Sequence, residues 1–296
     1  MKQGEIRIVQ SSMLGSILNI LLVLGSCFVA SGVRRTGSSF NEAVTSSMSY
    51  LTAVATTSLI IPATLYASLE QSDADLDKNI LILSHGTAIV MLIVYCVYLL
   101  FKLETHSYLS NAGLQQENED EDEEGPRNFG PVAITSCLVI ATTLLAVCAK
   151  NLVDGIEGIV ETARVSKTFI GLVLLPILGN AAGQSTARVA AYNDRMDLAI
   201  SIPIGRAMQA VLFVTPSLVV LGWVMDQPMT LHFQSFKTMV LFLSMLVVNS
   251  VIQRGKSNYF EGCMCLGTYM IIALAFYVYP DGSGEVGSMV KLISSG

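Results

Sequence analysis

Apolar and charged residues separate along this chain instead of alternating. Charges gather in clusters, and between them lie apolar windows of about 17–25 residues. That length suits a helix crossing a hydrocarbon core of about 30 Å. The pattern predicts eight helices, at 11–32, 46–68, 80–102, 130–153, 167–192, 198–223, 237–252 and 259–280. The fourth, sixth and eighth are the clearest. The seventh, MVLFLSMLVVNSVI, is short and has the option of lying partly in the interface. The expected fold class is an all-α integral membrane protein with about eight transmembrane helices.

Two of these windows, within 171–216, are broken by small and amide residues at mid-depth. Gly179-Asn180 interrupts one, Pro203 and Gly205 the other. Lipid offers a backbone no hydrogen-bonding partner, so such residues carry a cost there. They are tolerated where they line a cavity, and broken helices at the midplane mark many ion transporters. The alternative is that the small residues only let helices pack closely. Spacing alone leaves both readings open.

Composition points the same way. The chain is 52% hydrophobic and 14% charged, against about 25% charged in soluble domains, and its mean hydropathy is +0.58. The net charge of −6 has a single source. Seven of the eight residues from Glu117 to Glu124 are acidic (Glu117, Glu119, Asp120, Glu121, Asp122, Glu123, Glu124), and without them 16 acids face 17 bases. Such a run reads as a solvated, self-repelling linker. Asp154, Glu157 and Glu161 follow at i, i+3 and i+7 and share a face near the end of the fourth helix. A solvated interfacial face and a cation vestibule are the two readings for them.

The six cysteines all fall in apolar helices and suggest no disulfide framework. Cys263 and Cys265 are two apart, a poor metal pair, and His85, His106 and His232 show no zinc spacing. No cofactor is expected. No cleavable signal is read at the N-terminus. No nucleophile–base set or phosphate loop appears, so an enzyme is not expected, nor is a nucleic-acid partner. Basic residues favour one side of the membrane. Arg34, Arg35, Lys102, Arg127, Arg195, Arg254 and Lys256 share a side with the acidic run, against Lys2, Arg7, Lys78, Arg164 and Lys291. The positive-inside rule puts the acidic loop in the cytosol and the C-terminus opposite. Gly15-x-x-x-Asn19 in the first helix and Gly205-x-x-x-Gln209 in the sixth form a matched pair, as inverted repeats would. If those helices cross, their amides would face one cavity.

Residues 179–216 carry a specific resemblance. Gly179-Asn180-Ala181-Ala182 with Thr186-Ala187, a charged turn, Met196-Asp197-Leu198-Ala199-Ile200, and then Ile204-Gly205 with Gln209 and Leu212-Phe213-Val214-Thr215-Pro216 resemble the second signature repeat of the vacuolar calcium/proton exchangers. These belong to the cation/calcium exchanger superfamily. Residues 2–25 resemble the second half of the family's first repeat, and residues 255–280 its last helix.

The resemblance implies a sodium/calcium-exchanger-type inverted-repeat fold of eleven helices, of which this chain would hold the last eight. Residues 1–110 would be the remnant of the first repeat, 111–129 an acidic cytosolic linker that attracts calcium, and 130–296 the second repeat. It implies a calcium (divalent cation)/proton antiporter of the vacuole or another endomembrane, working by alternating access, with calcium and protons as transported ions. The cation pathway would involve Gly179, Asn180, Gln184, Gln209, Ser16 and Asn19. Helices five and six would bring Asn180 and Gln209 face to face across it. Three positions depart from the family. Gly183 and Gln184 stand where a binding glutamate and a histidine are expected, and Arg206 adds a positive charge beside them. The first helix is one residue short between Gly15 and Asn19, which turns a helix by about 100°. A degenerate or truncated member that folds in the membrane without transporting is therefore the alternative. The oligomeric state is left open.

Overall fold

The computed structural model describes residues 3–34, 38–39, 42–69, 76–100, 131–163, 165–225, 231 and 233–279. The acidic run at 117–124 lies outside them. Nine helices are described: α1 (Gln3–Arg34), α2 (Glu42–Leu69), α3 (Leu76–Leu100), α4 (Pro131–Ala163), α5 (Lys167–Gly179), α6 (Ala181–Tyr192), α7 (Met196–Val224), α8 (Ser235–Ile252) and α9 (Tyr259–Val278). The expected fifth helix is the pair α5 and α6, bent by 57° at the single residue between them. Five helices are long and apolar enough to span a membrane, or six when the bent pair is one span, and Ser49–Leu65 and Phe236–Ile252 are shorter apolar helices. One small addition to the all-helical expectation is a two-residue antiparallel ladder. Ser38–Ser39 (β1) pairs with Lys256–Ser257 (β2), in the register Ser38 to Ser257 and Ser39 to Lys256.

The described contacts fall into two units. One joins residues 1–98 with 168–296, and the other is residues 99–167. The helix expected to open the second repeat, α4, thus belongs to the second unit. It is 33 residues long, and its described side chains from Val132 to Leu152 are exposed.

In the first unit α1 is the core. Leu14, Ile17, Leu18, Ile20, Leu21, Leu24, Cys27 and Phe28 are all buried. These positions cover about half of the helix circumference, and the buried Gly15, Asn19 and Val23 fill the other half at 100° per residue. Burial thus goes right round, the mark of a helix enclosed by protein. α5, α6, α7, α8 and α9 all pack on it. Close approach is made by glycine. A Cβ at Gly25 would meet the Gly262 carbonyl of α9, and one at Gly262 would meet the Gly25 carbonyl, the small-residue contact typical of membrane helices. α2 packs against α8, where the Ser49 hydroxyl bonds Asn249 Oδ1 and Gln253 Nε2 donates to Ser49 Oγ at 3.3 Å. α3 docks by aromatic contacts, with Tyr95 stacked on Phe213 at 5.1 Å and His85 on Trp223 at 4.5 Å.

α5 and α7 each contain one wide turn of i→i+5 hydrogen bonding. These are Ile170–Leu174 and Ala210–Val214. Both run into a proline two residues past the turn, Pro176 and Pro216. Proline has no N–H to give the carbonyl four residues back, and a π-turn is one way a helix absorbs the mismatch. In α7 the Thr215 hydroxyl adds a second bond to the Ala210 carbonyl, at 2.8 Å. In α5 the carbonyl that Pro176 leaves free, that of Leu172, lies where a Cβ on Gly15 would fall. Gly15 thereby lets α1 seat against the irregular turn.

Candidate functional site

The break in the fifth span is made by Asn180. Its backbone (φ −103°, ψ 5°) leaves the helical region. Its N–H and its side-chain Nδ2 both donate to the Pro176 carbonyl, at 3.1 and 3.0 Å. The N–H of Gln184 then donates to the Asn180 carbonyl at 2.9 Å and starts α6. A backbone break at this depth is satisfied by one amide side chain, as a membrane interior demands. The return into α7 is equally tight. Asp194 takes a positive φ of 67°. Arg195 N–H donates to the Ala190 carbonyl and Asp194 N–H to that of Ala191, the paired bonds of a Schellman cap.

A cavity of about 90 Å³ lies where α1, the α5–α6 break and α7 meet. Ser16, Asn19, Asn180, Gly183, Gln184 and Arg206 line it, with apolar wall from Ile20, Val23, Ile202, Pro203, Ala207 and Ala210. The structure thus brings together four of the six expected pathway residues, Ser16, Asn19, Asn180 and Gln184, and all three departures. The one-residue shortening of α1 leaves both Ser16 and Asn19 on the cavity side.

Two expectations need correction. Gln209 does not line the cavity and does not face Asn180; its side chain is exposed. At 100° per residue the α7 lining positions occupy an arc of about 140°, and Gln209 falls past its edge. Gly179 is also exposed, and nothing lies within 4 Å of where its Cβ would be, so it neither lines the cavity nor serves close packing. The amide opposite Gln184 comes from α1. Gln184 Nε2 donates to Asn19 Oδ1 at 3.2 Å, with both residues almost wholly buried. Arg188, one turn along α6, closes this relay. Its Nη2 donates to Gln184 Oε1 at 3.0 Å and its Nε to the Gln184 carbonyl at 3.1 Å. Sequence reading missed Arg188, although its i+4 spacing from Gln184 was the available signal.

Arg206 and Gly183 are coupled by space. A Cβ built on Gly183 would overlap the Arg206 guanidinium carbon and Nη1. The guanidinium thus fills the place of the missing side chain. Among the described residues it makes no hydrogen bond or ion pair, and no carboxylate lines the cavity. Asp154, Glu157 and Glu161 are in the last turns of α4, in the second unit, and their side chains lie outside what is described. Among the described residues no cluster of His, Cys, Asp and Glu is arranged to hold a metal.

The sodium/calcium exchanger protein family matches residues 1–104 and 133–278. A vacuolar calcium ion transporter of Schizosaccharomyces pombe is 44% identical over 282 residues, covering 95% of this chain and 67% of the relative. A vacuolar cation/proton exchanger 2 of Oryza sativa subsp. japonica is 39% identical, covering 96% and 66%. The chain therefore spans about two thirds of the length of these relatives. Among solved structures, native YfkE superposes with a TM-score of 0.75 at 29% identity, covering 94% of this chain and 77% of that one.

Proposed function

Because the chain belongs to the sodium/calcium exchanger protein family, we propose that it is a transporter moving calcium, or another divalent cation, into the vacuole or a related endomembrane compartment in exchange for protons. The observation that carries this reading is the polar cavity at the broken fifth span, set between helices from both halves of the chain. Its oxygens, from Ser16, Asn19, Asn180 and Gln184, are hard ligands of the type divalent cations take. Alternating access would open this cavity to each side in turn, with residues 1–110 and 130–296 acting as the two repeats. The acidic run at 117–124 would face the cytosol and gather calcium there, and Asp154, Glu157 and Glu161 would form a vestibule.

A specific observation favours a second reading. Exchange requires a group that holds the cation when ionised and releases it when protonated. Here the guanidinium of Arg206 occupies the space beside Gly183. A unit positive charge about 4 Å from a divalent cation costs about 8 kcal/mol at an effective dielectric of about 20, twice the figure for two unit charges. A member of the family that folds but does not exchange fits this arrangement.

Purified chain in sealed vesicles, acid inside, distinguishes the two. Calcium uptake that stops when a protonophore collapses the gradient supports exchange. Uptake no greater than in protein-free vesicles supports the second reading. In the same assay Gly183→Glu alone should add nothing, because its new side chain collides with Arg206 and pairs with it. Gly183→Glu combined with Arg206→Ser should exceed the single variant by about tenfold or more, the equivalent of 1.4 kcal/mol or above. Equal rates for the single and double variants would show that Arg206 does not control the site.

A further inference from the structure

The amide relay under the cavity has a direction, and it is set from its outer end. Arg188 carries only donors, so the Gln184 atom that meets its Nη2 is Oε1. That leaves Nε2 as the Gln184 atom facing α1, and Asn19 answers it with Oδ1 at 3.2 Å. Asn19 Nδ2 is then left over. The residue is 3% exposed and lines the cavity, and its Nδ2 has no acceptor among the described residues. Lining the cavity, this N–H₂ is free to donate to a group seated there. Asn180 Nδ2 is committed to the Pro176 carbonyl, and the Ser16 hydroxyl to that of Ser12 at 2.9 Å. Asn180 Oδ1 is the remaining amide acceptor of the lining. The unspent donors are Asn19 Nδ2 and the guanidinium of Arg206, and that guanidinium is the only charged group in the lining.

We propose that this cavity seats a small planar oxyanion of monocarboxylate type, held by the fork of Arg206 and by Asn19 Nδ2. A guanidinium presents paired N–H groups that match a carboxylate edge. The volume of about 90 Å³ compares with about 10–15 Å³ for one water on the same measure, room for about six to nine waters, so an oxyanion of about three or four heavy atoms fits together with water. Gly183 is part of the seat, since any side chain there would push the guanidinium away. The anion supplies the negative charge that no lining side chain provides. This inference does not depend on the chain exchanging calcium, and its test uses no calcium.

The full chain, purified in detergent, is unfolded by heat in sodium formate and in sodium gluconate at equal ionic strength. Gluconate, a much bulkier and more heavily hydrated carboxylate, controls for ionic strength. Formate should raise the unfolding temperature in a saturable manner, as a ligand of the native state does, while gluconate should not. Arg206→Gln should weaken the apparent affinity for formate by about tenfold or more, since it removes a charge-assisted pair. Gly183→Ala should weaken it similarly by displacing the guanidinium, and Asn19→Ala should weaken it severalfold. Should Arg206→Gln fail to fold, Arg206→Lys takes its place, because it keeps the charge and loses the fork. Equal shifts in formate and gluconate would overturn the proposal. So would a formate response retained in full by both Gly183→Ala and the Arg206 variant.

Discussion

A hydrogen atom at Gly183 is what allows the Arg206 side chain to lie against α6. The two positions therefore behave as one, and changing either alone leaves a misfit that changing both removes. A glycine of a different kind stands at position 15. There a Cβ would run into the backbone carbonyl of Leu172 and the ring of Pro176, and neither atom sits at the end of a flexible side chain. Gly15→Ala should therefore destabilise the chain by about 1–3 kcal/mol, the usual range for overpacking, read as a lower midpoint of thermal unfolding in detergent. At Gly205, with nothing within 4 Å of the built Cβ, the same change should be nearly silent. Much of the residue-level site was legible in the sequence. Asn180 and Asn19 stand out as amides in apolar windows, where a polar group is expensive unless used, while Gln184 and Ser16 were reached through the family resemblance. Gln209 misled for a physical reason. Its match to Asn19 in spacing says nothing of which arc of α7 faces inward, and that arc is fixed by packing on α1.

Among the elements, α5 and α7 are the irregular ones, and their wide turns were not legible. The sequence before Pro176 and Pro216 is simply apolar, and a proline in a helix is met by a kink, a break or a π-turn according to what packs beside it. The break at Asn180 was legible because a polar side chain had to be there to satisfy the open backbone. In α7 the wide turn is held partly by a side chain. Thr215, 1% exposed, donates to the Ala210 carbonyl. Thr215→Val keeps the shape and removes that bond, which should cost about 0.5–1.5 kcal/mol. The check is the unfolding midpoint in detergent. Formate binding, if present in the parent chain, should survive, because Thr215 does not line the cavity.

At the scale of the molecule, the first unit is organised around α1. Leu24, fully buried there, should cost about 2–5 kcal/mol when cut to alanine. Leu144 of α4, 65% exposed in the second unit, should stay within about 0.5 kcal/mol under the same change and the same thermal assay. A hydropathy profile finds α1 and α4 alike and cannot rank them, because it measures length and apolarity but not which helix is surrounded.

The central place of α1 also has a consequence in time. Its neighbours α5 to α9 are all encoded far downstream. Roughly 220 residues separate the end of α1 from the start of α9, and at about 5–20 residues per second of synthesis that is roughly 10–45 s. For most of that interval the helix waits in the bilayer with Asn19 and Ser11 unclaimed by Gln184 and Lys237, the downstream side chains that later donate to them. The innermost helix of the finished protein is, while the ribosome is still working, its most exposed one, and the cell's membrane chaperones and proteases meet it in that state.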